Sequence, residues 1–335
     1  MFFKIYLQVC KPIFKGGNIV ITLQQIYEAR ERIKAITHVT PILQSEQLSQ
    51  RCGNQVFLKA EHVQKTGSFK IRGASNKVIH AVENGAQYIT TASSGNHGQA
   101  VAYIANKYNI PATIVVPEDV TASKLHAIQD YNGKIEYCGT TSEERLPRAR
   151  EIAEKENGIY IPPYDDPFIM AGQGTVGLEI VEQVAHIDAV IVPVGGGGLM
   201  SGVVTAIKET YPHIQVIGVE PECAKDTYLS LQHKKITPFP AKTIADGLRA
   251  TQPGDLTFPV IMKYVDELVL VSEDEIRQAL GFVMERMKQV IEPSSATTIA
   301  AAMFNKINMQ DRNIVAVVSG GNIDLRNLHN FLINI

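Results

Sequence analysis

Cysteine is scarce in this chain and never closely spaced. Cys10, Cys52, Cys138 and Cys223 stand far apart with no CxxC, and the nine histidines are scattered without an HExxH. That spacing argues against a disulfide framework and against a zinc site, and it suits a reducing cytosol. Charge of one sign is also missing in excess. Lys and Arg number 32 and Asp and Glu 34, a net charge of −2, so nothing global draws the chain to nucleic acid or an anionic membrane. No apolar run is long enough to cross a bilayer. The group Phe2, Phe3, Ile5, Tyr6, Leu7 and Val9 is interrupted by Lys4, Lys11 and Pro12, and residues 1–18 read as a peripheral extension. No small-residue cleavage pattern follows it. Tryptophan is absent, which excludes nothing. The dinucleotide fingerprint G-x-G-x-x-G needs glycine at 200 or 201, where Met200 and Ser201 stand, and GxxxxGK[ST] does not occur.

What is present is the composition of a globular protein. The 335 residues are 45% hydrophobic and 20% charged, enough for one large or two medium domains with an ample core. Helical and strand signals alternate. Thr22 to Gln25 and Ser272 to Glu275 read as capping boxes, the second opening a helix over Ile276 to Met287. Short apolar strands are expected at Tyr88–Ala92, Ala112–Pro117, Ile135–Cys138, Ala189–Val194, Val216–Glu220 and Ile314–Ser319. Helices are expected over Gly98–Tyr108 and Met200–Glu209. Continuous apolar strands between helices indicate an α/β fold with mainly parallel sheets covered on both faces. Ligands in such sheets lie at the carboxyl ends of strands, where Ser94, Gly195 and Ser319 fall. The proline-rich stretch Gly158 to Pro167 is expected to cross between two lobes. We find no repeat or low-complexity tract and expect no regulatory domain after Ile335.

Three segments carry chemistry. The first is Gly195-Gly196-Gly197-Gly198-Leu199, after a strand and before a helix. Glycines let the backbone turn its N–H groups inward, and the helix N-terminus adds partial positive charge, which together suit a phosphate. A tight turn with no ligand is the bland alternative, and four successive glycines are an entropic cost that it does not need. The second is Ser93-Ser94-Gly95-Asn96-His97-Gly98, whose side chains and amides suit a carboxylate, although a plain helix cap looks the same. The third is Ser319-Gly320-Gly321-Asn322, which places a neutral hydroxyl at the same edge, where it can meet a pyridine nitrogen. Lys70, in Gly67-Ser68-Phe69-Lys70-Ile71-Arg72-Gly73-Ala74, adds an amine nucleophile. An amine, a phosphate cradle and a carboxylate turn are what a pyridoxal phosphate (PLP) enzyme needs.

The chain resembles the fold-type II, tryptophan-synthase-β-like PLP enzymes, specifically the threonine/serine dehydratase and serine racemase group. The matching stretches are KTGSFKIRGA, TASSGNHGQA, ATIVVP, IPPYDDP, AGQGTVGLE, PVGGGGL, IGVEPE, TIADG, VSEDEI, ERMK, IEPSSA and SGGNIDL, in family order from about residue 20 onward. The resemblance implies two lobes: residues 19–82 and 167–335 as a large PLP-binding domain, and 83–166 as a small one. It also implies roles. Lys70 is the Schiff-base lysine, Phe69 the aromatic against the cofactor ring, and Asn96 the contact to the ring oxygen. Gly195, Gly196, Gly197 and Gly198, helped by the Leu199 N–H, hold the phosphate, and Ser319 partners the pyridine nitrogen. Ser93, Asn96 and His97 lie where the family binds substrate carboxylate, and Arg145 aligns with an active-site arginine. Glu220, the Ala224 carbonyl and Asp226 match a Mg²⁺ or Ca²⁺ site. On residue pattern alone that site is weak, since acids on a loop are usually solvated.

The implied activity is an ammonia-lyase in which Lys70 removes the α-proton and the β-hydroxyl leaves, giving 2-oxobutanoate from L-threonine or pyruvate from L-serine, plus ammonia. Two alternatives share the site: serine racemase and threo-3-hydroxyaspartate ammonia-lyase. Ser94 matches the serine that racemases use on the opposite ring face. Tyr164 and Ala250 lean toward dehydratases, because vertebrate-type racemases carry asparagine and serine there. A non-catalytic binding protein on the same fold is disfavoured by an intact Lys70, glycine run and Ser319. The resemblance further implies a cytoplasmic homodimer or homotetramer acting on small amino acids, with neither nucleic acid nor membrane as partner.

Overall fold

The computed structural model describes residues 20–332. Among them ten strands form two sheets. The strands are β1 (Ile42–Gln44), β2 (Gln55–Ala60), β3 (Ile89–Ala92), β4 (Ala112–Val116), β5 (Lys134–Tyr137), β6 (Ile159–Tyr160), β7 (Ala189–Pro193), β8 (Gln215–Pro221), β9 (Glu267–Val271) and β10 (Asn313–Val318). The helices that cover them are α1 (Leu23–Ile33), α2 (Glu46–Cys52), α3 (Lys70–Glu83), α4 (Asn96–Lys107), α5 (Ala122–Gln129), α6 (Ser142–Lys155), α7 (Pro167–Gln183), α8 (Gly198–Lys208), α9 (Asp226–His233), α10 (Thr257–Tyr264), α11 (Glu273–Phe282) and α12 (Pro293–Met303). The larger sheet runs β1-β2-β10-β7-β8-β9, with β1 antiparallel and the rest parallel. The smaller runs β5-β4-β3-β6 and is parallel throughout.

The apolar strands are continuous because both of their faces are buried. In β7, Val190 and Val192 join Ile26, Val176 and Val203 from α1, α7 and α8. The alternate residues Ala189 and Ile191 join Leu48, Ile276 and Ile299 from α2, α11 and α12. In β4, Ile114 and Val116 pack with α3 and α4, while Val115 turns to Ala149 and Ile152 of α6. The period-2 alternation therefore persists geometrically while both sets of positions are apolar. Helix α7 is mainly apolar and buried from Ile169 to Ile180, as befits a helix in the middle of a large protein, with Gln173, Thr175 and Glu179 the polar residues in that span. It meets α3 at van der Waals contact. A Cβ on Gly172 would lie 2.6 Å from Gly73 Cα, so any side chain there would push back the helix that Lys70 opens.

Several element limits differ from the sequence expectation. Helix α8 starts at Gly198, not Met200, because Gly197 takes a left-handed φ of 91° and ends the loop inside the glycine run. The helix expected through Met287 stops at Phe282, and Val283–Met287 continues as a wider π turn that ends at Lys288 with φ 58°. The capping boxes at Thr22 and Ser272 form, and a third, Thr141 with Glu144, starts α6. Between β6 and α7, residues 161–166 carry the chain from the smaller sheet to the helices of the larger. The N-terminal segment 1–18 lies outside the described residues.

Candidate functional site

Lys70 is the first residue of α3, and the chain just before it is stitched to the end of β10. The Phe69 N–H donates to the Ser319 carbonyl at 3.0 Å, the Gly321 N–H donates to the Gly67 carbonyl at 2.8 Å, and Ser68 pairs with Gly320 in an isolated bridge. Lys70 is half-buried. Its Nζ donates to the Pro163 carbonyl at 2.8 Å and stands 5.2 Å from the Phe69 ring centroid. Desolvation pulls the free amine down to about 8, partly opposed by Glu292. Such a lysine changes protonation near neutral pH and can act as nucleophile and base.

From Lys70 a chain of contacts closes on itself. Tyr164 follows Pro163, and its ring lies on the glycine loop: a Cβ on Gly196 would fall 2.5 Å from Tyr164 ring carbons. A Cβ on Gly195 would fall 3.2 Å from Leu248 Cα, and the neighbouring Gly247 N–H donates to Ser294 Oγ at 2.9 Å. Two residues earlier, the Glu292 N–H donates to the Gly320 carbonyl at 3.1 Å. Asn96 Nδ2 donates to both Glu292 carboxylate oxygens, at 2.9 and 3.0 Å, and Asn322 Nδ2 donates to Asn96 Oδ1 at 2.8 Å. Ser319 Oγ lies 3.1 Å from Ser295 Oγ and returns the circuit to Phe69 and Lys70. A chain of contacts thus links the amine, the glycine loop, Asn96 and Ser319 at the carboxyl ends of β3, β7 and β10.

Each part of the rim has a defined electrostatic character. The first amides of α8 have no intrahelical partner by construction, so the glycine loop presents donors and the positive end of a helix dipole. Leu199 is the second residue of that helix. Ser319 contributes a neutral, buried hydroxyl. His97 is buried, with Nε2 3.2 Å from the Ile161 carbonyl, and burial together with the Lys70 charge depresses it to about 3, so it is neutral. Burial, with Asp246 nearby, raises Glu292 to about 8. Ser93 and Ser94 form the turn between β3 and α4, directly before Asn96.

Two expected groups lie outside the circuit. Arg145 lies on α6, which packs on the smaller sheet. Its Nη2 donates to Ser142 Oγ at 3.3 Å, while Nε and Nη1 are buried without a partner, and burial lowers its pKa despite Asp119. Glu220 and Asp226 are both fully buried. Glu220 accepts the Thr227 and Tyr228 N–H groups at 3.0 and 2.8 Å, and both Asp226 oxygens lack a partner. Burial raises both acids, Asp226 to about 7. Ala224 is buried on the turn between them. Two neighbouring buried carboxyls, with both Asp226 oxygens orphaned, match a hard cation better than they match each other. Among the described residues no cluster of three or more His, Cys, Asp or Glu is placed to bind a metal, and this pair with a carbonyl is a different donor set.

Sequence reasoning assigned no role to Glu292, Ser295, Asn322 or the Pro163 carbonyl. The Pro-Ser-Ser start of α12 and the Gly-Gly-Asn turn after β10 hold the signal, but nothing in the one-dimensional pattern says that they meet.

A family model described as pyridoxal-phosphate dependent enzyme matches residues 33–320. The chain is 42% identical over 308 residues to an L-threonine ammonia-lyase of Thermotoga maritima, covering 91% of this chain and 77% of that protein. It is 42% identical over 318 residues to a serine racemase of Dictyostelium discoideum, covering 93% and 98%. The structure of maize serine racemase superposes with a TM-score of 0.89 at 39% identity, covering 93% of this chain and 97% of that one. Among the described residues no helix is long and apolar enough to cross a membrane. A family model that spans most of the chain, and relatives 42% identical over more than 90% of it, make this chain a member of the fold-type II pyridoxal-phosphate-dependent enzyme family.

Proposed function

We propose that this chain is a PLP-dependent ammonia-lyase that converts L-threonine to 2-oxobutanoate and L-serine to pyruvate, releasing ammonia. The observation that carries the reading is the closed circuit around Lys70, which sets one amine of lowered pKa among a phosphate-type loop, a ring-oxygen donor and a neutral hydroxyl. When bound, PLP supplies an aldehyde carbon that condenses with amines and a conjugated ring that takes up the electron pair left at the substrate α-carbon. Lys70 Nζ would hold that carbon and, once displaced by substrate, accept the α-proton. The Phe69 ring would flank the cofactor. The amides of Gly195 to Gly198 and Leu199 would hold its phosphate. Asn96, which donates to Glu292 and accepts from Asn322, would give up one Glu292 contact to donate to the ring oxygen. The Ser319 hydroxyl would face the ring nitrogen and, having no proton to surrender at neutral pH, leave that nitrogen unprotonated. A ring nitrogen left neutral would favour elimination, in which the β-hydroxyl takes up a proton and leaves as water.

Ser93, Asn96 and neutral His97 would bind the substrate carboxylate through hydroxyl and amide donors at the start of α4. The partnerless nitrogens of Arg145 offer a further polar contact to substrate. Glu220, the Ala224 carbonyl and Asp226 would hold Mg²⁺ or Ca²⁺, a reading supported by the orphaned Asp226 oxygens. The cytosol as location and a homodimer or homotetramer as assembly complete the proposal.

Serine racemase is the second reading. Ser94, on the turn before Asn96, is the residue that favours it, because a hydroxyl there can return a proton to the face opposite Lys70. An assay with L-threonine, L-serine, D-serine and threo-3-hydroxyaspartate, with and without Mg²⁺, separates these activities and identifies a 3-hydroxyaspartate preference. Keto-acid release by the native enzyme should fall at least about 10³-fold in Lys70→Ala. A Lys70→Ala protein that retained turnover would overturn the proposal. Chiral analysis of recovered serine decides racemisation, which Ser94→Ala should remove while sparing elimination of the L-isomer.

A further inference from the structure

The glycine loop rests on a support that has no place in the cofactor-facing set. Thr257, the fully buried first residue of α10, lies beneath it. Its Oγ1 is 2.7 Å from the Gly196 carbonyl and 3.3 Å from the Gly254 carbonyl, and it accepts the Gly254 N–H at 2.9 Å. The hydroxyl has one proton, and the shorter contact shows that it goes to Gly196. The contact leaves no slack, since a Cβ on Gly197 would fall 2.7 Å from the same Oγ1.

Thr257 is itself held. Asp165 Oδ1 accepts the Leu256 and Thr257 N–H groups at 2.9 and 3.2 Å, and Oδ2 accepts the Asp255 N–H at 3.1 Å. The Thr257 carbonyl accepts from Ser201 Oγ, in the first turn of α8, at 3.2 Å. Asp165 follows Tyr164, whose ring lies on Gly196. One crossover segment therefore fixes the Gly196 peptide from two sides, and two residues earlier it presents the Pro163 carbonyl to Lys70.

In a planar trans peptide the C=O and the following N–H point in opposite directions. Anchoring the Gly196 carbonyl on Thr257 therefore turns the Gly197 N–H to the other side of the loop. A Gly-Gly peptide lacks side chains to resist rotation, so its orientation depends on its anchors, of which the Thr257 hydroxyl at 2.7 Å is shorter than the Gly254 N–H, which reaches the same carbonyl at 3.3 Å. We propose that Thr257, held by Asp165, is a positioning residue for phosphate binding: it locks the 196–197 peptide plane so that the Gly197 amide is aimed at the anion before the anion arrives. The proposal rests on the reading that the glycine loop carries the PLP phosphate.

The test compares PLP with pyridoxal, which lacks the phosphate, by titrating apoprotein and following cofactor absorbance and fluorescence. Thr257→Val keeps the volume and removes the donor. Loss of one preorganising hydrogen bond should weaken PLP about tenfold while leaving pyridoxal within about twofold. Thr257→Ser keeps the hydroxyl and should restore most of the PLP affinity. Inorganic phosphate should raise the apoprotein melting temperature, and should do so less in Thr257→Val. Where Thr257→Val does not fold, Asp165→Asn gives the same reading, because it loosens the 255–257 amides that place Thr257. A Thr257→Val protein that still prefers PLP over pyridoxal as strongly as the wild type overturns the inference. A wild type that does not prefer PLP over pyridoxal, and that inorganic phosphate does not stabilise, overturns the phosphate reading of the loop instead.

Discussion

Two buried clusters of charge lie among the elements of the larger sheet and its helices, and they are built on opposite principles. In the first, Arg72 and Lys59 face Glu61 and Glu179, two cations with two anions. Arg72 bonds Glu61 through Nε and Nη2 at 2.7 and 2.8 Å and Glu179 through Nη1 and Nη2 at 2.6 and 2.8 Å, while Lys59 Nζ reaches Glu179 at 2.5 Å and Gln183 at 2.7 Å. Thr40 and Thr175 take further contacts. In the second, Glu220 and Asp226 bring two carboxyls together with no ion-pair partner among the described residues, and Asp226 has no hydrogen-bond partner for either oxygen. Burial is equal and the completeness of pairing is not. A network that satisfies every charge internally joins the start of α3 to β2 and α7. A network one charge type short is a place for something the polypeptide does not itself supply.

The sharpest way to break the comparison is to unbalance the first cluster. Arg72→Met leaves Glu61 and Glu179 facing Lys59 alone, and removing one partner of a buried ion pair costs about 3–5 kcal/mol. The variant should melt well below the wild type. Arg72→Met combined with Glu61→Leu leaves Lys59 with Glu179, a balanced pair, and should recover part of the loss. Urea titrations of the three proteins check this. Equal stability of the single and double variants would mean that packing, rather than charge balance, sets the value of the network. Arg72 stands two residues from Lys70, so the single variant should also weaken PLP retention.

Neither cluster is visible in the sequence as a cluster. Lys59 sits inside the apolar-rich β2 and looks like a residue facing solvent, and Arg72 looks like part of a motif whose chemistry belongs to Lys70. Their partners lie up to 124 positions away, and no periodicity encodes such meetings. What local pattern does carry is clear in the strands. β7 and β10 are legible because two-faced burial leaves an uninterrupted apolar run, and the loops after them because glycine and serine break it. The capping boxes at Thr22 and Ser272 are legible because each is complete within four residues. The start of α8 is not, since a left-handed Gly197 among four glycines can begin a helix at several places. Lys70, Asn96, the glycine loop and Ser319 were each found as local motifs. Glu292, which ties Asn96 to the β10 turn, has no local signature.

The second cluster supplies a milder test. If it lacks a cation, Mg²⁺ or Ca²⁺ should raise the melting temperature of the wild type and have little effect on Asp226→Asn. The sign with pH follows from Asp226, which is raised to about 7 from its ordinary 3.8. Between those values the folded protein holds a proton that the unfolded chain has released. Without metal, stability therefore falls as pH rises toward about 7 and levels off above it. A cation competes with that proton, so its stabilisation should be larger at pH 8 than at pH 5. Equal shifts at both values, or a full shift in Asp226→Asn, would place the cation elsewhere.

Lys70 and Glu292 stand between the two extremes, and the smallest effect is expected there. They carry opposite charges and are not hydrogen-bonded to each other, and burial drives both toward neutrality near pH 8. The Glu292 charge favours protonated Lys70, so Glu292→Gln should lower the pH at which the free amine becomes neutral. The shift should be less than about one pH unit, because Glu292 is itself mostly protonated below its own midpoint. The rate at which an amine-reactive reagent modifies Lys70 in the apoprotein rises with the neutral fraction and reports the midpoint directly. A midpoint near the ordinary lysine value of 10.5 in the wild type would show that water enters the apo site and relieves the desolvation. An upward shift in Glu292→Gln would show that the carboxyl acts on Lys70 through its contact with Asn96 rather than through its charge. Arg72 offers the contrast within the same turn of helix: ringed by two carboxylates it stays charged at every accessible pH, which is why it can anchor α3 while Lys70 remains free to lose its proton.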